Sequence, residues 1–314
     1  MKKDRVFITR NILPEGIKLL EANGLIVEIF TENHPIDHAT LYQKAKNSDA
    51  LITMLTDTID QDFLRANTHL KVISNYAVGF NNIDVTTATE LKIPIGNTPD
   101  VLTNATAELA LGLMLATARN FYSANATVYS GEWKDWNPTQ FLGPELNNKT
   151  LGIIGMGRIG RRLAEMVTSA FSMKILDSKS HKVEEILKNS DFISLHVPLN
   201  PQTKNMISRA ELSQMKPTAI LINTSRGEVI NQDDLIWALE NKIIWGAGLD
   251  VTTPEPLPLN SKLLTLKNVQ LTPHIGSASL EARKAMSVIA AENILLGLKK
   301  EKLKGFVNPL VYNT

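Results

Sequence analysis

Residues 150–170 read TLGIIGMGRIGRRLAEMVTSA, a pattern that indicates a strand, a glycine-rich turn and a helix in succession. A short apolar run leads into Gly155, Gly157 and Gly160 in the pattern G-x-G-x-x-G, and a helical pattern follows at once. In that context the first glycine allows a tight turn, the second lets the backbone approach a pyrophosphate, and the third packs a helix on a strand. The helix N-terminus then offers amide groups and a partial positive charge to phosphates. The stretch therefore predicts dinucleotide binding.

An acidic residue ends the next strand-like run, as a ribose-binding carboxylate should, about 20 residues after the first glycine. That residue is Asp177, and it favours NAD slightly. Ser178, Lys179 and His181 follow directly, and a hydroxyl and cations at this point suit the 2′-phosphate of NADP. The sequence leaves both cofactors open.

Strand-like runs alternate with helical patterns along most of the chain, which predicts an α/β protein with parallel sheets. After residue 150 the candidate strands fit a doubly wound nucleotide-binding sheet; they are residues 151–154, 173–176, 192–196, 219–223, 245–249 and 269–271. Residues 93–99 hold two prolines and one glycine and predict a linker. The apolar stretch 103–118 predicts a helix buried between domains or between subunits, residues 133–144 predict an extended arm, and residues 280–298 predict a last helix.

Composition excludes several classes of function. The 314 residues suffice for about two domains, and 33 Lys and Arg against 32 Asp and Glu give a net charge of +1. Such a balance provides no field for attracting nucleic acid or an anionic membrane. The chain has no cysteine, which removes disulfides and thiolate chemistry, and its histidines lack metal-ligand spacing, so we expect no metal. No signal peptide or membrane span is expected, which predicts a cytoplasmic protein.

Three polar residues follow strand candidates in the second half of the chain: Arg226 in NTSRG, Glu255 in PEP and His274 in TPHIGS. Ligands bind at the carboxyl ends of strands in an open α/β sheet, so these side chains are expected around one crevice. A guanidinium can hold a carboxylate, and an imidazole can give a proton to a carbonyl oxygen. A carboxylate beside the imidazole stabilises its charged form. The set predicts reduction of a 2-oxo acid.

Motifs along nearly the whole chain resemble those of the D-isomer-specific 2-hydroxyacid dehydrogenases, and the opening VFITR with MLTD at 54–57 is most similar to the glyoxylate/hydroxypyruvate reductase branch. The motifs, in the order of the family, are VGFNNID at 78–84, ATAELALGLMLATAR at 105–119, GIIGMGRIG at 152–160, HVPL at 196–199, NTSRG at 223–227, GLDV at 248–251 with EP at 255–256, and TPHIGS at 272–277.

The resemblance implies two Rossmann-like domains, one flavodoxin-like and one dinucleotide-binding, with the active site in the cleft between them. Residues 1–99 and 277–314 would form the substrate-binding domain, and residues 100–276 would bind NAD(H) or NADP(H). The family commonly dimerises, here through about residues 103–144.

By the same resemblance, Arg226 binds substrate, Glu255 pairs with His274, and His274 is the general acid and base. The amides of Val78 and Gly79 would bind the substrate carboxylate, and Leu55 would help to form a small pocket. Asp250 would orient the nicotinamide carboxamide. The full set of expected cofactor contacts is Thr106, Gly155, Met156, Gly157, Arg158, Ile159, Gly160, Asp177, Ser178, Lys179, His196, Val197, Pro198, Thr203, Thr224, Ser225, Arg226, Asp250, His274 and Gly276.

The chain departs from the family pattern in two places: the stretch after Asp177 is short, and Thr252-Thr253-Pro254 replaces a glutamate-rich run. The sequence predicts reduction of a small 2-oxo acid, such as glyoxylate or hydroxypyruvate, to the D-2-hydroxy acid. Alternatives are a dehydrogenase of D-3-phosphoglycerate or another D-2-hydroxy acid, or, in a different class, an NAD(H)-sensing corepressor-like protein.

Overall fold

The structure is a computed structural model that describes residues 3–312. It divides the chain into two compact units, one formed by residues up to Leu102 together with those from Ala278 onward, and the other by Thr103–Ser277. None of the described helices is both long and apolar enough to cross a membrane.

The first unit is built on a parallel sheet in the order β2-β1-β3-β4-β5, which is the flavodoxin-like order. Its strands are β1 (Arg5–Ile8), β2 (Ile26–Ile29), β3 (Ala50–Thr53), β4 (Val72–Asn75) and β5 (Ile95–Gly96). Its helices are α1 (Pro14–Ala22), α2 (His38–Lys46), α3 (Gln61–Ala66), α4 (Val85–Glu90) and the C-terminal α11 (Leu280–Leu298). Aspartates cap three of the helices, since Asp37, Asp60 and Asp84 each accept a hydrogen bond from a first-turn amide.

The interpretation of residues 93–99 as a linker is wrong. Ile95–Gly96 forms β5, which pairs with β4, and Ile93 and Ile95 are buried in the core. Pro94 does not prevent this pairing because it contributes its carbonyl, which accepts from the Ile73 amide at 3.0 Å. The outer edge of β5 is covered by the C-terminal segment, where Gly96 bridges to Phe306.

The second unit holds a six-stranded parallel sheet in the order β11-β10-β9-β8-β6-β7. The strands are β6 (Thr150–Ile154), β7 (Lys174–Asp177), β8 (Phe192–Leu195), β9 (Ile220–Asn223), β10 (Gly246–Leu249) and β11 (Val269–Leu271). The helices are α5 (Thr103–Ala118), α6 (Phe121–Tyr129), α7 (Arg158–Phe171), α8 (Val183–Asn189), α9 (Arg209–Leu212) and α10 (Gln232–Glu240). The order of the strands reverses beside β6, so the glycine turn lies at the switch point where open sheets bind ligands.

Helices cover both faces of this sheet, and the central strands are therefore buried on both sides. Apolar residues of α5 and α7 pack on one face, and those of α8 and α10 pack on the other. The helix predicted at Thr103–Ala118 is present and packs within this unit, against β9, β10 and α7. Residues 133–144 contain no helix or strand, and both tryptophans of this segment are exposed.

Candidate active site

The glycine turn after β6 has the backbone conformation and the space that a dinucleotide turn requires. Gly155 has a φ of +103°, and a Cβ there would lie 2.6 Å from the carbonyl carbon of His196. A Cβ on Gly160 would lie 2.6 Å from the Gly155 carbonyl oxygen, so the third glycine lets α7 pack against the end of β6. A Cβ on Gly157 would meet nothing within 4 Å, so this residue faces open space.

The surroundings of the turn fit a dinucleotide. The open space over Gly157 lies at the N-terminus of α7, where the helix supplies amide donors and a partial positive charge to a pyrophosphate. Thr224 Oγ1, just after β9, is buried and has no hydrogen-bond partner within residues 3–312. Buried hydroxyl groups normally have partners, so this one is suited to a ligand that supplies one.

The end of β7 brings the residues predicted to meet the ribose beside the glycine turn. Ser178 Oγ accepts a hydrogen bond from the Gly155 amide at 3.0 Å. Asp177 Oδ1 accepts one from the Lys179 amide at 2.8 Å, which orients the carboxylate, and the Lys179 side chain is exposed. His181 Nδ1 is buried without a partner in the described part of the chain. The turn thus offers a carboxylate to a ribose and an exposed cation to a ribose phosphate.

The structure brings His274 and Glu255 together, although Glu255 lies in the loop after β10 and His274 in the loop after β11. His274 Nδ1 lies 2.5 Å from Glu255 Oε1, and the two side chains are 21% and 34% exposed. An ionised carboxylate can only accept, so Nδ1 carries the hydrogen of this bond. The other ring nitrogen, Nε2, is then the one that can exchange a proton with a substrate.

Asp250 holds the loop that carries His274, a role that the sequence did not predict. His274 has a φ of +55°, a left-handed conformation that costs a non-glycine residue about 1–2 kcal/mol. The carbonyl oxygen of Asp250 accepts from the His274 amide at 2.9 Å. Its carboxylate accepts from Thr272 Oγ1 at 2.6 Å and from the amides of Ile275 and Gly276 at 2.7 Å. These four bonds fix the backbone of the loop and so the direction of the imidazole.

The environment of Asp250 raises the pKa of its carboxyl group, because burial disfavours the charge and the surrounding hydrogen bonds offset this in part. The proposed contact between Asp250 and a carboxamide stays a prediction.

Arg226 is a largely buried guanidinium placed after β9. Its Nη1 donates to the Ser225 carbonyl at 2.7 Å. Burial lowers the pKa of Arg226, while the negative charges of Glu255 and Glu228 oppose that shift. Arginine stays protonated in proteins, so this side chain remains a cation that can bind an anionic substrate.

His196 is another histidine of this unit and lies directly after β8. Burial lowers its pKa to about 4, so the ring is neutral at neutral pH. Its Nε2 lies 2.9 Å from Ser194 Oγ, and its backbone borders Gly155. His196 therefore packs directly against the glycine turn.

The other predicted cofactor contacts belong to the same unit. Thr106 Oγ1 donates to the Gly276 carbonyl at 3.0 Å. Thr203 Oγ1 donates to the Pro198 carbonyl at 2.6 Å and accepts from the Asn200 amide, so its hydroxyl closes its own turn. Ser225 Oγ likewise donates to Asn223. The remaining members lie on the glycine turn or after β8 and are Met156, Arg158, Ile159 and Val197.

The predicted substrate contacts Leu55, Val78 and Gly79 belong to the first unit, whereas Arg226 belongs to the second. Leu55 follows β3, and Val78 and Gly79 follow β4. All three are partly exposed at the carboxyl end of their sheet. Their part in substrate binding stays a prediction.

Comparison with known proteins connects this site to one family. The model of the D-isomer specific 2-hydroxyacid dehydrogenase NAD binding domain matches residues 111–276. A glyoxylate reductase of Thermococcus litoralis is 46% identical to the chain, with 98% of this chain and 97% of the relative covered.

Solved structures agree with this assignment. A protein of Thermus thermophilus superposes with a TM-score of 0.91 at 39% identity, covering 96% of this chain and 99% of that one. An NADPH-dependent glyoxylate/hydroxypyruvate reductase of Sinorhizobium meliloti, solved with NADP and malonate, gives 0.85 at 28% identity with 98% of each chain covered. The chain belongs to the D-isomer specific 2-hydroxyacid dehydrogenase family. It is therefore an oxidoreductase with a nicotinamide dinucleotide as cofactor.

Proposed function

We propose that this protein reduces a small 2-oxo acid with NADH or NADPH, either glyoxylate to glycolate or hydroxypyruvate to D-glycerate. The observation that carries the proposal is the contact between His274 and Glu255 at the end of a nucleotide-binding sheet, with Arg226 after the neighbouring strand β9. The glyoxylate reductase of Thermococcus litoralis, similar over 98% of this chain, supports the choice of substrate.

The side chains of the site divide the work of the reaction. When bound, the reduced nicotinamide supplies a hydride to the carbonyl carbon. Arg226 binds the substrate carboxylate and sets the orientation of the adjacent carbonyl group. The imidazole of His274 gives the proton from Nε2 to the carbonyl oxygen, so the substrate gains one hydride and one proton. Glu255 accepts from Nδ1 and stabilises the imidazolium before transfer.

The proposal includes a substrate contact from the first unit and a cofactor preference. The amides of Val78 and Gly79 bind the carboxylate together with Arg226, and Leu55 limits the size of the acid. Asp177 binds the ribose hydroxyls of NAD, and its position at the end of β7 supports a slight preference for NAD.

We also propose a homodimer formed through residues 103–144. The exposed large apolar side chains in this segment support an interface: Phe121, Tyr122, Val128, Tyr129, Trp133, Trp136 and Leu142. Light scattering at micromolar concentration tests this; a monomer would contradict it.

Initial rates test the proposed function. Glyoxylate, hydroxypyruvate, pyruvate and 3-phosphohydroxypyruvate are each supplied with NADH and with NADPH, and chiral chromatography identifies the glycerate formed from hydroxypyruvate. We expect glyoxylate and hydroxypyruvate to be the best substrates and the product to be D-glycerate. Preference for the phosphorylated acid would favour the phosphoglycerate alternative, and no reduction of any 2-oxo acid would overturn the proposal.

A further inference from the structure

The loop after β4 turns three successive carbonyl groups toward buried donors. The Ala77 carbonyl accepts from the Thr98 amide at 2.9 Å. The Val78 carbonyl accepts from Asn97 Nδ2 at 2.8 Å, and the Gly79 carbonyl accepts from Asn75 Nδ2 at 2.9 Å. All three donors come from residues that are at most 9% exposed.

The peptide geometry then fixes where the amides point. Each of these peptide bonds is trans, and the N–H of a trans peptide points opposite to its C=O. With the carbonyls of Ala77, Val78 and Gly79 directed inward, the amides of the residues that follow each of them are directed outward. None of the amides of Val78, Gly79 and Phe80 donates a hydrogen bond within the part of the chain that the structure describes. Successive outward N–H groups of this kind form an anion-binding concavity.

The C-terminal segment holds Asn97 in place. The Asn97 amide donates to the Gly305 carbonyl at 2.8 Å, and its carbonyl accepts from Asn293 Nδ2 of α11 at 2.9 Å. Asn293 Oδ1 in turn accepts from the amides of Lys304 and Gly305. With its backbone held on both sides, Asn97 directs its side-chain amide at the Val78 carbonyl.

Asn75 is held by side chains of its own sheet edge. Its Oδ1 accepts from Thr53 Oγ1 at 3.1 Å, and its Nδ2 also lies 3.2 Å from Asn82 Oδ1. Asn82 Nδ2 donates to the carbonyls of Met54 and Asp57. The loop that contains Leu55 and the loop that contains Gly79 are thus connected through two asparagines.

We propose that Asn97 and Asn75 are positioning residues for substrate recognition: by binding the carbonyls of Val78 and Gly79, they turn the amides of Gly79 and Phe80 outward to bind the carboxylate of the 2-oxo acid. This inference rests on the proposed function. It adds the Phe80 amide to the predicted donors. It also assigns the orientation of the Gly79 and Phe80 amides to two side chains that do not themselves bind the substrate. Without Asn97, the peptide between Val78 and Gly79 loses the bond that selects its orientation, and carboxylate binding weakens while proton and hydride transfer remain intact.

The test compares Asn97→Ala and Asn75→Ala with Asn67→Ala. Asn67 is a matched control because it is buried in the same unit and its Nδ2 also binds one backbone carbonyl, that of Phe63, but it does not contact the loop. We measure KM and kcat for glyoxylate, the inhibition constant of oxalate, and thermal unfolding. For Asn97→Ala and Asn75→Ala we expect both KM and the oxalate constant to rise about tenfold, as for one weakened bond to a charged group, with kcat within about twofold. Asn67→Ala should lower the unfolding temperature and leave KM unchanged.

Asn97→Asp provides a second variant of nearly unchanged size if the alanine variant does not fold, since an ionised carboxylate cannot donate to the Val78 carbonyl. It should raise KM at least as much. An active wild type whose KM is unchanged in the Asn97 variants overturns the role of Asn97 and leaves the proposed function standing. An unchanged KM in Asn75→Ala would show that the Phe80 amide does not bind the substrate carboxylate and that Asn75 has no positioning role. A wild type that reduces no 2-oxo acid overturns the proposed function and this inference with it.

Discussion

Replacement of Glu255 by glutamine removes a negative charge from the pair with His274 and keeps an oxygen that can accept the Nδ1 hydrogen. The Nδ1 to Oε1 distance is 2.5 Å, and the side chains are 21% and 34% exposed. A hydrogen bond to a charged group contributes about 1.5–3 kcal/mol, and partial exposure screens this pair toward the lower part of that range. Glutamine keeps a hydrogen bond to Nδ1 that contributes about 1 kcal/mol. The imidazolium therefore loses roughly 1 kcal/mol of stabilisation in Glu255→Gln, which corresponds to about fivefold in kcat.

The assay follows NADH oxidation at saturating glyoxylate for the wild type, Glu255→Gln and Glu255→Ala. We expect kcat to fall about fivefold in Glu255→Gln and roughly 30-fold in Glu255→Ala, because alanine also loses the bond that orients the ring. Glu240→Gln is the control for loss of a carboxylate elsewhere in the unit, since Glu240 pairs with Lys262; it should keep the wild-type rate. If kcat of Glu255→Gln lies within twofold of wild type, the charge of Glu255 has no part in proton transfer.

Three further predictions concern the binding of the substrate carboxylate, the choice of cofactor and the stability of the fold. Arg226→Ala should raise the KM for glyoxylate by about 30-fold or more through loss of a charge-assisted bond. The control Arg209→Ala, which breaks an ion pair with Asp234, should leave KM unchanged. If KM is the same in Arg226→Ala as in the wild type, Arg226 does not bind the substrate carboxylate. Lys179→Ala should weaken NADPH binding by about fivefold in fluorescence titrations and leave NADH nearly unchanged; equal losses would exclude contact with a 2′-phosphate. The unfolded chain takes up a proton at His196 below pH 6.5 that the folded chain binds only near pH 4, so stability falls as pH drops through that window. The free energy of unfolding falls by about 2 kcal/mol between pH 7 and pH 5. Denaturant unfolding measured at several pH values should show a smaller decrease of this free energy with pH in His196→Gln, and an equal decrease in that variant and the wild type would contradict the lowered pKa.

Local spacing made part of this molecule predictable. The glycine turn could be predicted because G-x-G-x-x-G between a strand and a helix is a local signal. Its three glycines allow a tight turn, an approach of the backbone to a pyrophosphate and packing of the helix on the strand. The α/β class and the final helix Leu280–Leu298 followed from hydrophobic periodicity in the same way. The sequence also placed the candidate acid and carboxylate, His274 and Glu255, at strand ends, where the structure brings them into contact.

Features that depend on distant partners were missed. Strand β5 is only two residues long and directly follows a proline. It is stabilised by β4 on one side and by the segment around Phe306 on the other. Asparagine is common in turns, so nothing near Asn97 in the sequence indicates that its amide binds the Val78 carbonyl. The hydrogen bonds from the His274 loop to the Asp250 carboxylate were also not predicted, because they depend on the packing of β10 beside β11.

The role of His274 as proton donor can be tested by measuring the turnover of His274→Ala together with its affinity for NADH. If His274 transfers the proton, kcat with glyoxylate falls by about 10²–10⁴-fold, while the dissociation constant of NADH from fluorescence titration stays within about twofold because the glycine turn is unchanged. Undiminished turnover in the variant would show that another group protonates the carbonyl oxygen.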